Sequence, residues 1–259
     1  MSLSYEGRKK KILDQLAKEE KVQVPAMAEE LNVSAETIRR DLDRLDKEGK
    51  LKKVYGGAVK HDSLEPPFEQ KSLLNVVEKQ EIGRLAASLV KDGDIIMIGS
   101  GSTTIGMIPY LSNKKRVTII THSAAVMRLA MEQFPGRIIF IGGEVNVSQQ
   151  SVNGPLAEWM LNQLKADKAF FAAGGISLRD GISDYNLNEA NIFRKMMERA
   201  VETIVLADHT KFGKTTFAHI CPLKDISVLI SDRGCPDEWI QVLGSQEIEL
   251  LIADEEEQV

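Results

Sequence analysis

Apolar positions recur along this 259-residue chain with two different periods, and the change of period divides it. Before position 60 the spacing is helical. Ile12, Leu13 and Leu16 share one face of a helix over 8–18, and Met27, Ala28 and Leu31 mark a second over 24–31 with Pro25 in its first turn. Ile38, Leu42 and Leu45 stripe a third from about 35 to 48. Ser34 stands where an N-cap belongs, Glu36 in the first turn, and Gly49 just past the end. Two short strand-like runs around Gly56-Gly57 in Leu51–Lys60 predict a hairpin. Helix, short turn, helix and basic hairpin together predict a winged helix-turn-helix.

Beyond Asp94, short β-branched runs alternate with helical stretches. The predicted strands are Ile95–Ile98, Val117–Thr121, Arg137–Ile141, Ala169–Ala172, Thr203–Ala207, Ser227–Ile230 and Glu247–Ile252. Helices are expected at Thr104–Leu111, Ala124–Gln133, Leu156–Leu164, Leu187–Ala200 and Asp237–Leu243. This alternation predicts an α/β domain with a mostly parallel sheet. Between the two regions, His61–Lys71 lacks periodicity and carries Pro66-Pro67, so it reads as a connector. A helix with Ile82, Leu85, Ala86, Leu89 and Val90 on one face follows, closed by Asp92-Gly93. The expected division is a DNA-binding domain at 1–60, a linker at 61–75 and a sensing α/β domain at 76–259.

The net charge of −5 is an average over unlike halves. Residues 1–60 carry 14 Lys+Arg against 11 Asp+Glu, a surplus of +3, which leaves −8 on the remainder. Such a basic head on an acidic body permits a nucleic-acid partner that the overall charge argues against. So small a surplus implies binding through a few specific contacts and dimerisation, without a strong salt dependence per head. Cys221 and Cys235 form no disulfide framework, no signal segment is visible, and no apolar run approaches the length of a membrane span. A soluble cytoplasmic protein without a membrane partner is expected, and no motif asks for a metal or another cofactor.

On the third helix, Thr37, Arg40, Arg44 and Lys47 fall opposite Ile38 and Leu42, with Arg39 on the flank. Such a face can enter a major groove, where Arg pairs with guanine or binds phosphate. It can equally be a solvated charged face, since Asp41, Asp43 and Asp46 offset the arginines. Lys52, Lys53 and Lys60 on the hairpin favour the DNA reading.

Ligands of parallel α/β sheets bind where strands end. The first such loop, Gly99-Ser100-Gly101-Ser102-Thr103-Thr104, follows a buried strand and opens a helix. Its glycines, hydroxyls and helix N-terminus suit a phosphate; a tight turn is the alternative. It is neither a Walker A loop nor a dinucleotide fingerprint. Thr121 and Ser123 flank His122 after the next strand and can bond a sugar or phosphate, while His122 is taken as a loop histidine without a role. Asp208 and Lys211 follow another strand; Lys211 can serve as a phosphate ligand and Asp208 can orient it or bind hydroxyls, unless the two form a surface ion pair.

The run VSAETIRRDLDRLDKEGKLKKVYGGAV resembles the signature of the DeoR family of bacterial transcriptional regulators. Ser34, Thr37, Arg39, Arg40, Arg44, Lys52 and Lys53 would then contact double-stranded operator DNA. The body resembles the same family's effector domain, similar in fold to ribose-5-phosphate isomerase. The matching pieces are GSGSTT, Thr121-His122-Ser123, Gly142-Gly143, Gly154, Asp184-Tyr185-Asn186-x-x-Glu189 and Asp208-x-x-Lys211-Phe212-Gly213. The resemblance implies that Ser102, Thr103 and Lys211 hold the phosphate of a sugar or polyol, with Glu189 beside the sugar and Gly143 and Asp184 at the same mouth. It also implies a repressor, working as a homodimer or homotetramer. The isomerases carry a Gly-Ala-Asp-Glu loop and a Lys-Gly-Gly-Gly loop; here Ala172-Ala173-Gly174-Gly175 stands at the first and the second is absent. Isomerisation needs a positioned base, so binding without turnover and no catalytic residue are expected, with an isomerase-like enzyme fused to a DNA module as the competing reading.

Overall fold

The computed structural model describes residues 4–19, 21–48, 50–54, 56–60, 65–245 and 248–254; for 17–19, 21, 52, 54, 59 and 60 it describes the backbone alone. Gly49, His61–Leu64 of the connector, Glu255–Glu257 of the acidic tail and the side chains of Lys52 and Lys60 lie outside the described residues. The chain forms two compact units, 1–66 and 67–259.

In the first unit α1 (Tyr5–Glu19), β1 (Lys21–Gln23), α2 (Val24–Glu30), α3 (Ala35–Lys47), β2 (Leu51–Val54) and β3 (Gly57–Lys60) follow in order. The apolar stripes read from the sequence converge: Ile12, Leu16, Met27, Leu31, Ile38, Leu42 and Leu45 are buried together. Ser34 caps α3 by accepting the Thr37 N–H at 3.1 Å. The wing has a third strand that no sequence pattern announced, because β1 is only three residues long; the sheet order is β1-β3-β2. The glycine pair is split between two jobs. Gly56 sits at φ +82 in the turn, whereas Gly57 belongs to β3, where a Cβ would lie 2.0 Å from the Val22 carbonyl oxygen. Only glycine lets β1 approach there.

In the second unit the order is α4 (Phe68–Ser72), α5 (Val76–Ser88), β4 (Ile95–Ile98), a 3₁₀ helix (Thr104–Leu111), β5 (Thr118–Thr121), α6 (Ala124–Gln133), β6 (Arg137–Phe140), β7 (Glu144–Asn146), β8 (Ser151–Asn153), α7 (Pro155–Asn162), β9 (Ala166–Ala172), β10 (Gly175–Ser177), β11 (Gly181–Asp184), α8 (Leu187–Arg199), β12 (Ala200–Leu206), β13 (Ala218–Cys221), β14 (Val228–Asp232), α9 (Asp237–Ser245) and β15 (Glu249–Ala253). All seven strands predicted from β-branched runs enter one parallel sheet, β15-β14-β12-β9-β4-β5-β6. Successive side chains on a strand point to opposite faces. Ile96, Ile98, Phe170, Ile204, Leu206 and Ile230 therefore meet α5, α6 and the 3₁₀ helix on one face. Met97, Phe171, Val205 and Leu229 meet α7, α8 and α9 on the other.

The elements absent from the sequence reading are the short ones: α4, the β7–β8 hairpin and the antiparallel sheet β10-β11-β13. Strands of three or four residues are too brief for a period to show. The 104–111 stretch is 3₁₀ rather than α, with Pro109 inside it. Among the described residues no helix is long and apolar enough to cross a membrane.

Candidate functional site

On the DNA-facing candidate surface, the acids of α3 prove to be fasteners. Asp41 is buried and takes the Arg8 guanidinium through Nε at 2.6 Å and Nη2 at 3.1 Å, tying α1 to α3. Asp46 accepts the Lys53 backbone N–H at 2.9 Å, and Asp43 pairs with the Lys53 ammonium at 2.5 Å, which ties the wing to α3. The predicted contact residues thus differ in their present engagement. Arg39 lies 3.3 Å from Glu36 and Arg44 lies 3.5 Å from Glu48, with its guanidinium stacked 4.2 Å from the Tyr5 ring. The Thr37 and Ser34 hydroxyls are bonded to each other at 2.9 Å. Arg40 is exposed and has no hydrogen bond or ion pair among the described residues.

In the second unit, the parallel strands place the ends of β4, β5, β6, β9, β12 and β14 along one edge of the sheet. Two buried carboxylates organise that edge. Glu189, 2% exposed, comes from the first turn of α8, whose N-cap Asn186 accepts the Asn188 and Glu189 N–H groups. It receives Ser100 Oγ at 2.7 Å, His122 Nε2 at 3.1 Å, Asn153 Nδ2 at 3.3 Å and the Ser151 hydroxyl. Burial alone raises a carboxyl pKa, but the His122 bond and charge and the two serine hydroxyls overcome it and hold Glu189 at about 2. His122 is itself buried, edge-on to Phe193 at 5.9 Å, and Phe193 stacks on Phe171 at 4.9 Å. The histidine read as a loop residue without a role is thus part of the buried frame. Ser100 joins it from the loop after β4, and Ser151 and Asn153 join it from β8, a convergence that no local pattern could reveal.

The loop after β4 is built for close approach. Gly101 has φ +146, and a Cβ there would stand 2.8 Å from the Ala172 Cβ. Gly99 N–H donates to Phe170 O at 2.7 Å, fastening the loop to β9. Thr104 Oγ1 is spent on the carbonyls of Gly99 and Gly101, at 2.8 and 3.0 Å. The N–H groups of Ser100, Gly101, Ser102 and Thr103 donate to no group among the described residues, nor do the Ser102 and Thr103 hydroxyls. A run of unspent N–H groups ahead of a helix is an anion cradle. Thr121 and Ser123 differ: Thr121 Oγ1 donates to Ile98 O at 2.7 Å and accepts the Ser123 N–H, while Ser123 Oγ caps α6. Both hydroxyls serve the backbone. Gly143 packs against Asn153, where a Cβ would be 2.7 Å from its carbonyl oxygen, and Asp184 accepts the Asn186 N–H at 2.9 Å.

Asp208, 1% exposed, anchors the second cluster at the end of β12. It accepts the Thr210 N–H at 3.0 Å, the Thr210 hydroxyl, and Asn75 Nδ2 at 3.2 Å. Burial opposes its ionisation, but the Thr210 bond and the Lys211 and Lys79 charges keep its pKa below the ordinary value. Lys211 is half-buried on the same turn, its N–H bonded to Asp208 O at 3.0 Å. The turn is held by His209 on Asp232, with Nδ1 at 2.8 Å, and by Phe212 edge-on to Trp239 at 5.1 Å. Lys79 was absent from the sequence reading and is buried here. Burial lowers its pKa to about 8; Asp208 opposes the shift, and Lys211 and Lys71 add to it. Around the Lys79 ammonium, Asp208 and Glu78 favour the charge while Lys211 and Lys71 oppose it.

A winged helix-turn-helix unit followed in the chain by a parallel α/β unit is the organisation of a regulator that binds DNA. Residues 8–63 match the DeoR-like helix-turn-helix domain, and residues 74–233 match the DeoR C terminal sensor domain. The chain belongs to the DeoR family of HTH-type transcriptional regulators. It is 31% identical to the HTH-type transcriptional regulator IolR of Bacillus subtilis, over 90% of this chain and 93% of that one. It is 33% identical to the regulator YulB of the same organism, over 94% and 95%. It is 32% identical to a lactose phosphotransferase system repressor of Staphylococcus aureus, over 85% and 90%. Among solved structures, ribose 5-phosphate isomerase A from Methanocaldococcus jannaschii aligns over 53% of this chain and 55% of its own, at 24% identity and a TM-score of 0.40.

Proposed function

We propose that this regulator is a repressor of a sugar or polyol catabolic operon, released or engaged by a phosphorylated sugar or polyol bound at the carboxyl edge of the parallel sheet. The observation that carries the reading is the cradle of Ser100–Thr103, with its unspent N–H groups and the Ser102 and Thr103 hydroxyls, in a domain that also places Lys79 and Lys211 beside Asp208. Naming of relatives as sugar-system repressors supports the same class of ligand. In this reading Gly99, Gly101, Ser102, Thr103 and Thr104 form the phosphate loop, Lys211 adds charge, and Asp208 orients it. Thr121, Ser123, Gly143, Asp184 and Glu189 shape the mouth. The head at 1–60 holds operator DNA as part of a homodimer or homotetramer in the cytoplasm, through Ser34, Thr37, Arg39, Arg40, Arg44, Lys52 and Lys53. Residues 61–75 connect the head to the sensing domain at 76–259.

Turnover is not part of the proposal. Glu189 already accepts from four donors and stays ionised far below neutral pH, so it is not poised to move a carbon-bound proton. A thermal-shift screen of phosphorylated sugars and polyols tests the ligand class, since a bound ligand raises Tm by mass action. Stabilisation by a phosphorylated compound and not by its dephosphorylated partner is expected; the reverse order rejects a phosphate site. Isomerisation of ribose 5-phosphate by the pure protein would reject the sensor reading.

A further inference from the structure

The element that enters the second unit, α4, is five residues long, too short to hold itself together. It is fixed from outside. At its N-terminal end the Phe68 N–H donates to Ser148 O at 2.9 Å, and Glu69 accepts Gln150 Nε2 at 2.6 Å. The turn that supplies both partners leads into Ser151, a donor to Glu189, and its Gln150 is held at φ +50. At the other end the Lys79 ammonium donates to the carbonyls of Lys71 and Leu74, at 2.5 and 2.6 Å, and so closes the carbonyl end of α4. Asn75, at φ +50, reaches across to Asp208. Two turns further on, α5 crosses the 3₁₀ helix that follows the anion cradle. There a Cβ on Gly83 would lie 2.4 Å from the Gly106 carbonyl carbon. One short run therefore touches the Glu189 frame, the Asp208 turn and the cradle's helix, and in sequence it directly follows the Pro66-Pro67 connector.

We propose that residues 68–79 form a strap that reads the occupancy of the anion site and passes it to the connector. The inference rests on the anion-site reading above. The Lys79 ammonium that closes α4 feels the charges of Lys211 and Lys71 against it and that of Asp208 in its favour. An anion shared between the cradle and Lys211 favours the Lys79 ammonium and its bonds to the Lys71 and Leu74 carbonyls, so the strap sits more tightly on the Asp208 turn. A ligand shifts an equilibrium only through contacts that differ between two states, and the strap supplies the state that differs.

Hydrogen exchange on the full chain tests this, with inorganic phosphate as the probe against chloride at equal ionic strength. Peptides covering 68–74 are expected to exchange at least about threefold slower with phosphate, together with those covering 99–106 and 208–213. In Asn75→Ala and Glu69→Ala the two loops keep their protection while 68–74 loses it. Should Asn75→Ala fail to fold, Gln150→Ala cuts the Glu69 anchor from the far side. Loop protection in the wild type without any change at 68–74 overturns the strap and leaves the anion site standing. Equal slowing across the whole chain, α9 and the first unit included, overturns the strap as general stabilisation. No protection of either loop overturns the anion-site reading itself, and the strap falls with it.

Discussion

Glu189 and Asp208 belong to the same sheet unit, both buried and both held ionised, but by opposite means. Glu189 is satisfied by two hydroxyls, an amide and an imidazole, so its frame is closed by hydrogen bonds. Asp208 is satisfied by a turn, an asparagine and the charges of Lys211 and Lys79, so cations take part in holding it ionised. A closed polar frame gives rigidity, because every donor already has its acceptor. One held partly by lysine charges responds to any further charge that enters. The first carboxylate fastens a loop, a strand and a histidine, and the second fastens a turn beside two lysines.

The sharpest way to break this contrast is Glu189→Ala. Four donors would be left buried around an empty acceptor position, a loss of about 3–5 kcal/mol read as a fall in Tm and in the denaturant midpoint. A change below about 1 kcal/mol would mean that the frame is not a keystone. The same carboxylate predicts acid sensitivity with a definite sign. Its pKa in the fold, about 2, lies below its ordinary 4.5, so its stabilisation is complete above the ordinary value and is lost as pH falls towards 2. Glu189→Gln should flatten that limb of the stability profile.

Lys211→Ala should behave in the opposite way. Ligand affinity should fall by about 2 kcal/mol, roughly thirtyfold, with stability changed by less than about 0.5 kcal/mol. Calorimetry with the phosphorylated compound found by thermal shift measures the first, and an unchanged affinity would remove Lys211 from the site. In the first unit, Arg40→Ala should cost about 1–3 kcal/mol of operator affinity and relax sequence preference, read by fluorescence anisotropy. Asp43→Ala should act less, since it only frees Lys53 from an exposed pair. The smaller of the two effects on ligand affinity comes through pH. With Lys79 at about 8 in place of its ordinary 10.5, an anion bound nearby should lose about 1.5 kcal/mol of affinity as pH rises past 8 and the ammonium deprotonates. A flat affinity from pH 7 to 9.5 would separate Lys79 from the ligand.

The two units differ also in how legible they were. The helix-turn-helix was readable to within a few residues, because each helix is long enough for its stripe to show and Ser34 and the glycines punctuate it. The three residues of β1 were not readable, although Gly57 exists for their sake. In the sheet unit all seven core strands and the GSGSTT cradle were visible as runs and turns. Thr121 and Ser123 were correctly placed at a strand end, yet their hydroxyls go to backbone partners that only the folded chain brings close. The reading of His122 as idle failed for the same reason, since its partner Glu189 is 67 positions away.

Local order was therefore settled by the chain itself: hydrophobic period, caps and glycine turns depend on neighbours within a few residues. That was enough to define a winged helix ahead of a parallel α/β domain and to place the cradle at a strand end. Only the tertiary structure decided which polar groups are spent on the fold and which are left over. Ser100, Ser151 and Asn153 converge on Glu189, and Asn75 and Lys79 on Asp208, from segments far apart in sequence. Burial then sets the balance of each cluster, because a buried charge must find its partners wherever the chain happens to bring them.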